Sequence, residues 1–135
     1  MARILVIDDE TFVREALQRV LGSPDVTVIG AADADAGFAV LRSAPADLVI
    51  VDVVLPGMDG VAAIREIRRD FPAMRIIAIS GGGNFGLAAY RPEAISTNAY
   101  LAACTAAGAD AVLAKPFETA ELRSMIEQLL AAEQA

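Results

Sequence analysis

The chain has 135 residues, of which 56% are hydrophobic and 21% charged, a composition that suits one folded domain and argues against disorder. Its 11 Lys and Arg against 18 Asp and Glu give a formal charge of −7, which excludes the basic surface of a nucleic-acid-binding protein and disfavours an anionic membrane as a partner. The absence of histidine excludes His-based catalysis, and the single cysteine, Cys104, excludes an intrachain disulfide and a cysteine zinc site.

Short continuous apolar runs, most of them rich in Ile and Val, predict the strands. They are Arg3–Ile7, Val26–Ala31, Leu48–Val51, Arg75–Ile79 and Ala111–Ala114. Because these runs do not alternate with polar residues, they are typical of strands that are buried on both faces of a parallel sheet.

Segments with helical spacing of apolar residues lie between and after these runs. They are Thr11–Leu21, Asp33–Ser43, Asp59–Phe71, Ala99–Ala107 and Thr119–Ala132. Asp33 is a plausible N-cap, and Gly22 and Gly108 are expected to end the first and fourth helices. The alternation of strand and helix predicts a doubly wound α/β fold, with helices on both faces of the sheet and right-handed crossovers.

The N-terminal apolar run meets three acids at Asp8, Asp9 and Glu10, so it is too short for the core of a signal peptide. No stretch approaches the roughly 20 apolar residues that span a bilayer. These features lead us to expect a cytoplasmic protein.

Polar residues follow four of the predicted strands. Asp8 and Asp9 follow the first strand, and Asp52, Ser80 and Lys115 follow the third, fourth and fifth. Because ligands of open parallel sheets bind at the carboxyl ends of the strands, we expect these side chains to converge there.

A group of carboxylates without His or Cys favours Mg²⁺, or Mn²⁺, as the cation that neutralises it. A hard cation held in this way commonly binds a phosphate as well, and one carboxylate can then act as a nucleophile that forms an aspartyl-phosphate. The Asp8–Asp9 pair taken alone also fits solvated acids that cap the first helix.

Four motifs in this order give the chain its resemblance to a known family. They are Ile4–Glu10, Asp52 with Leu55–Gly60, Ile79–Gly81 and Ala114–Phe117. The chain resembles, over essentially its whole length, the receiver domain of two-component response regulators. The resemblance implies a flavodoxin-like, five-stranded parallel sheet with the order 2-1-3-4-5, formed by a single domain over residues 1–135.

The resemblance also implies roles for individual residues. Asp52 is expected to be the phosphoacceptor. Asp9 is expected to bind Mg²⁺ directly and Asp8 largely through water, with Asp52 and the backbone carbonyl of Val54 as further ligands.

On the phosphate side, the resemblance implies that Ser80 and Lys115 each contact a phosphoryl oxygen. Gly81 is expected to leave access beside the phosphate, and the peptide bond between Lys115 and Pro116 is expected to be cis.

The expected function is a phosphorelay step. A sensor histidine kinase or a histidine phosphotransfer protein would donate the phosphoryl group to Asp52, and an unidentified downstream protein would read the result. Neither nucleic acid nor membrane is expected as a partner. The chain would catalyse its own phosphorylation and dephosphorylation rather than act as a conventional enzyme. The expected form is a stand-alone receiver, and a piece of a longer regulator or hybrid kinase is also compatible with the sequence.

The sequence departs from the family pattern in two places. The step from Ser80 to Lys115 is 35 residues, roughly a dozen more than a typical receiver would need, which predicts an extended connection at about 81–98. Val112 occupies the position, three residues before the lysine, where the family usually carries an aromatic residue. Val112 has no ring, so the sequence does not predict the usual coupling between a hydroxyl residue and an aromatic residue at this position.

Two other functions remain open at this point. One is a receiver-like binding scaffold that acts without phosphorylation. The other is a Mg²⁺-dependent phosphatase with an aspartyl nucleophile, whose first strand would be followed by a D-x-D-x-T motif. This chain instead has Asp8-Asp9-Glu10-Thr11 at that place.

Overall fold

The computed structural model describes residues 2–55, 58–80, 102–114 and 117–134, in which strands and helices alternate. In chain order the elements are β1 (Ala2–Ile7), α1 (Thr11–Leu21), β2 (Val26–Ala31), α2 (Ala34–Ser43), β3 (Leu48–Asp52), β4 (Val54–Leu55), β5 (Met58–Asp59), α3 (Gly60–Asp70), β6 (Arg75–Ser80), α4 (102–107), β7 (Ala111–Ala114) and α5 (Thr119–Gln134).

Five parallel strands form the main sheet in the order β2-β1-β3-β6-β7. Counted along the chain without the short β4–β5 hairpin, this order is 2-1-3-4-5, so the predicted flavodoxin-like fold is confirmed. The register pairs Ile7 with Val51, and Asp52 with Ile79 on the next strand. The ends of β1 and β3 therefore lie side by side at the carboxyl edge of the sheet.

Successive residues of each central strand enter opposite cores, as a sheet buried on both faces requires. Ile4 and Val6 pack in the core on the side of α1 and α5, whereas Leu5 and Ile7 pack in the core on the side of α2, α3 and α4. Each fully buried aliphatic side chain of this kind stabilises the fold by roughly 1.5–3 kcal/mol relative to its exposed state. The sheet thereby provides a rigid base for the residues at its edge.

The helix boundaries follow the predicted caps. The Asp33 carboxylate accepts a hydrogen bond from the Ala36 N–H at 2.8 Å, as predicted for an N-cap. Asp59, which the prediction included in α3, is its N-cap and accepts from the Val61 N–H at 2.9 Å. Gly108 ends α4 with a φ of +127°, as expected. Gly22 ends α1 in an extended conformation, with a φ of −69°, rather than in the left-handed one common for a terminal glycine.

The predicted connection at about 81–98 and the start of the predicted fourth helix lie outside the described residues. Among the helices that the structure describes, none is both long and apolar enough to cross a bilayer.

Candidate metal and phosphoacceptor site

Three carboxylates meet at the carboxyl edge of the sheet. Asp8 and Asp9 follow the end of β1, and Asp52 is the last residue of β3. One carboxylate oxygen from each of these three residues lies within 4.8 Å of the other two. The sequence-based expectation that these acids converge is therefore confirmed.

Burial distinguishes these acids from the rest of the charged surface. Asp8 is 2% exposed and Asp52 is 5% exposed, and they are the only buried polar or charged side chains among the described residues. Asp9, by contrast, is exposed. A buried carboxylate is costly unless a cation or a hydrogen bond compensates it, so the environment of these two acids matters more for the fold than that of a surface acid.

The hydrogen bonds at the start of α1 show whether Asp8 caps this helix. The N-cap of α1 is Glu10, and no side-chain oxygen of that residue caps the helix. Asp8 Oδ1 accepts instead from the Glu10 N–H at 2.9 Å, a bond that orders the turn between β1 and α1. The reading of Asp8 as a solvated helix cap is therefore wrong.

The segment after Asp52 folds back sharply against the start of α3. The Val53 N–H donates to the Ile79 carbonyl and the Gly60 N–H donates to the Val53 carbonyl, both at 3.0 Å. A Cβ atom at Gly60 would lie 2.2 Å from the Val53 Cα, so a side chain at this position requires a backbone shift. The absence of a side chain at Gly60 thus allows the chain to leave Asp52 in this path, and to place Val54 in β4.

The remaining predicted site residues are described only in part. Ser80 ends β6 opposite Ala114 of β7, which brings its backbone to the same edge of the sheet as Asp52. The side chain of Ser80 lies outside the described part of the structure, as do Gly81, Lys115 and Pro116. The predicted roles of these residues stay predictions.

Two further sequence expectations concern α4 and β7. Cys104 is fully buried, and burial raises the pKa of its thiol to about 11, with the charge of Asp59 adding to the effect. The thiol is therefore neutral at physiological pH and packs as a small apolar core residue. Val112 is partly buried and packs against the same core.

Sequence reasoning assigned no role to two residues that shape the site: Gly60, which it noted only as the end of a motif, and Arg14. Arg14 Nη1 donates to the main-chain carbonyl of Asp8 at 2.8 Å. The spacing of Thr11 and Arg14 on one helix face was the only local signal of this contact, since Arg14 Nη2 donates to Thr11 Oγ1 at 3.1 Å.

The chemistry of the cluster fits a small divalent cation. Its donors are oxygens only, and three negative charges within 4.8 Å of one another repel unless a cation lies between them. The described residues around them include neither histidine nor a second cysteine, because the sequence contains none. The three carboxylates can therefore hold a metal ion.

The sequence matches the family profile of the response regulator receiver domain over residues 4–127, so the chain belongs to the response regulator receiver family of two-component signalling. It is 33% identical over 135 residues to response regulator Rre1 of Synechocystis sp., and 30% identical over 128 residues to the two-component response regulator PhoP of Pseudomonas aeruginosa. These alignments cover 98% and 95% of the chain but only 53% and 51% of the two relatives. The chain thus spans about half the length of these relatives.

A solved structure of receiver size agrees with this assignment. A response regulator receiver domain protein from Clostridium thermocellum superposes with a TM-score of 0.80 at 27% identity, and the match covers 99% of this chain and 98% of that one. The class defined by the fold and by the acidic site is therefore that of a receiver domain.

Proposed function

We propose that this receiver accepts a phosphoryl group on Asp52 in a reaction that depends on Mg²⁺, with Mn²⁺ as a possible substitute. One observation carries the proposal: Asp52 ends a buried strand, and its carboxylate lies within 4.8 Å of those of Asp8 and Asp9. A bound cation would neutralise these acids and the charge that develops on the transferred phosphoryl group.

Asp8 and Asp9 would hold the cation together with Asp52 and the main-chain carbonyl of Val54. An Asp52 carboxylate oxygen then attacks the phosphorus of a phosphohistidine. The P–O bond forms, the P–N bond breaks, and the imidazole leaves as a neutral ring after it takes up a proton. Lys115 and Ser80 would bind the remaining phosphoryl oxygens.

Dephosphorylation reverses the modification without the donor. Water attacks the phosphorus of the aspartyl-phosphate, the bond to the Asp52 oxygen breaks, and inorganic phosphate leaves. The chain would therefore catalyse both its own phosphorylation and its own dephosphorylation, and a partner protein would read the change between the two states.

The test is labelling by a small phosphodonor. Wild type incubated with acetyl phosphate and Mg²⁺ should gain one phosphoryl group per chain, measured by intact-mass spectrometry, whereas Asp52→Asn should gain none. Omission of Mg²⁺ should abolish labelling of the wild type. Asp25→Asn is the matched control, because Asp25 is an exposed acid in the turn between α1 and β2.

The outcomes separate the three candidate functions. Equal labelling of wild type and Asp52→Asn would refute the assignment of the phosphoacceptor. No labelling of wild type by any donor would favour a scaffold that acts without phosphorylation. Continued release of phosphate from a phosphate ester, without a stable acyl phosphate, would favour a phosphatase.

The family also bears on the donor, since receivers are phosphorylated by histidine kinases. We propose that a sensor histidine kinase or a histidine phosphotransfer protein docks over the first turn of α1. Phe12 supports this placement: it follows Asp9 by three residues, is 80% exposed, and is the only exposed large hydrophobic side chain among the described residues. An apolar ring beside an acidic site can contribute to a specific interface.

Phe12→Ala should slow phosphoryl transfer from a phosphorylated donor protein about tenfold or more, because an aromatic contact of an interface is lost. The same variant should react with acetyl phosphate at the wild-type rate, since the small donor needs no docking surface. Arg19→Ala, an exposed residue in the last turn of the same helix, is the control. An equal loss with both donors would instead indicate damage to the site.

A further inference from the structure

Three of the hydrogen bonds that Asp8 makes fix the path of the turn after β1. Its N–H donates to the Ala31 carbonyl at 3.0 Å, which continues the pairing of β1 with β2. Its Oδ1 accepts from the Glu10 N–H at 2.9 Å. Its carbonyl accepts from Arg14 Nη1 at 2.8 Å, the only one of the three bonds whose donor is a side chain. The orientation of the Asp8–Asp9 peptide therefore depends in part on one arginine.

The path of the Arg14 side chain depends on a glycine in the neighbouring strand. A Cβ atom at Gly30 of β2 would lie 3.0 Å from Arg14 Cδ and 3.4 Å from Arg14 Cβ. The arginine stem thus lies directly over the bare backbone of Gly30, and the guanidinium reaches past it to Asp8 and to Thr11. A larger residue at position 30 would push the stem away from this path.

We propose that Arg14, seated on Gly30, is a positioning residue that sets the divalent-cation affinity of the Asp8–Asp9–Asp52 cluster. The inference rests on the proposed function, because it assumes that the cluster binds Mg²⁺ or Mn²⁺. Within the described part of the structure, Arg14 donates to the main-chain carbonyl of Asp8 and to Thr11 Oγ1, and to none of the predicted ligand oxygens. It acts by fixing the turn that carries two of the three carboxylates, as residues behind metal ligands commonly do.

Charge and positioning predict opposite results, which makes the inference testable. A guanidinium beside the cluster repels a cation, so a role through charge alone predicts tighter metal binding when Arg14 is removed. A positioning role predicts weaker binding, because the turn loses the hydrogen bond from Arg14 to the Asp8 carbonyl.

The experiment measures Mn²⁺ binding by electron paramagnetic resonance and Mg²⁺ binding by calorimetry, on the unphosphorylated full chain. Arg14→Gln should weaken binding about tenfold, a typical cost of losing a partner behind a metal ligand. Arg14→Lys keeps the charge and can donate one bond, so its affinity should lie between those of wild type and Arg14→Gln. Unchanged or tighter binding by Arg14→Gln would overturn the inference.

Two further variants control for damage to the fold. Arg123→Gln is the matched control, because Arg123 Nη2 also donates to a main-chain carbonyl, that of Val20, at 2.8 Å. This bond joins α5 to the C-terminal end of α1, whereas the acids lie before the N-terminal end of that helix. Arg123→Gln should bind metal as wild type does. Gly30→Val keeps the arginine but displaces its stem, so it should weaken binding even if Arg14→Gln does not fold. Wild-type affinity in Gly30→Val would overturn the inference. Absence of metal binding by wild type itself would instead overturn the proposed function, and the inference with it.

Discussion

Charged side chains are arranged in opposite ways at the two edges of the main sheet: like charges meet at one edge, and a cation meets acceptors at the other. At the carboxyl edge three carboxylates gather within 4.8 Å of one another, two of them buried. At the amino edge of β6 and β7 one cation, Arg68, meets only acceptors. Its guanidinium donates to the carbonyls of Pro72 and Met74 at 2.7 Å and to that of Gly108 at 2.7 Å.

The arrangement around Arg68 also includes the Asp110 carboxylate, which accepts two hydrogen bonds. Asp110 Oδ2 accepts from Arg68 Nη2 at 3.0 Å and from the Ile76 N–H at 2.8 Å. The Asp110 N–H in turn donates to the Ile76 carbonyl at 2.8 Å. This group, Arg68 with its acceptors, ties the end of α3 to the starts of β6 and β7.

This contrast distinguishes the edge that stabilises the fold from the edge that is expected to respond to a ligand. The matched donors and acceptors around Arg68 stabilise this part of the amino edge without a ligand. Like charges at the carboxyl edge repel one another and a bound cation offsets that repulsion, so we expect the stability of this edge to change with metal and phosphate. Substitutions at the two edges should therefore separate stability from ligand response.

The largest effect is expected at the amino edge. Arg68→Met should lower the free energy of unfolding by about 2–3 kcal/mol in urea denaturation, because four acceptors lose their charged donor while partial exposure lets water replace some bonds. The folded variant should still be labelled by acetyl phosphate to one group per chain. Loss of labelling in the folded protein would show that the two edges are not independent.

Arg69→Met is the matched control for this prediction. Arg69 neighbours Arg68 on α3, but its side chain is 70% exposed and pairs with Asp70 at the surface. Such a pair contributes little, so the change in the free energy of unfolding should stay within about 0.5 kcal/mol. Equal losses in both arginine variants would remove the contrast between matched and exposed charge.

A smaller effect is expected at the carboxyl edge, where the difference in stability between Asp9→Asn and wild type should change sign when Mg²⁺ binds. Without divalent cations, Asp9→Asn should be more stable than wild type by about 0.5 kcal/mol at low salt, since one of three like charges is removed. At a Mg²⁺ concentration ten times the wild-type Kd, wild type should gain about 1.4 kcal/mol and become the more stable protein. Urea denaturation with and without Mg²⁺ measures both values.

Salt and a second acid provide the controls for this reversal in the order of stabilities, which we call the crossing. The metal-free advantage of Asp9→Asn should vanish near 1 M KCl, where the screening length is about 3 Å. Asp25→Asn removes an exposed acid from the turn before β2 and should show no crossing. A variant of Asp9 that gains as much from Mg²⁺ as wild type would contradict the assignment of Asp9 as a metal ligand.

Much of this molecule could be read from its sequence. Continuous apolar runs such as Leu48–Val51 predict strands buried on both faces, because a polar residue would leave an unpaired group in either core. The convergence of Asp8, Asp9 and Asp52 also follows from the sequence, since parallel strands bring residues that follow their ends to one edge. The roles of Ser80, Lys115 and the segment at about 81–98 stay predictions.

Two arrangements depend on how the elements pack and could not be read from the sequence: how these acids are held, and how Arg68 links α3 to the amino edge of the sheet. Arg14 reaches Asp8 because β2 places a residue without a side chain, Gly30, beneath its stem. Arg68 meets Gly108 and Asp110 about 40 residues further along the chain. The local pattern of apolar residues predicts which faces of helices and strands are buried. Contacts such as those of Arg14 and Arg68 depend instead on which backbone groups lie within reach of a side chain after the elements have packed.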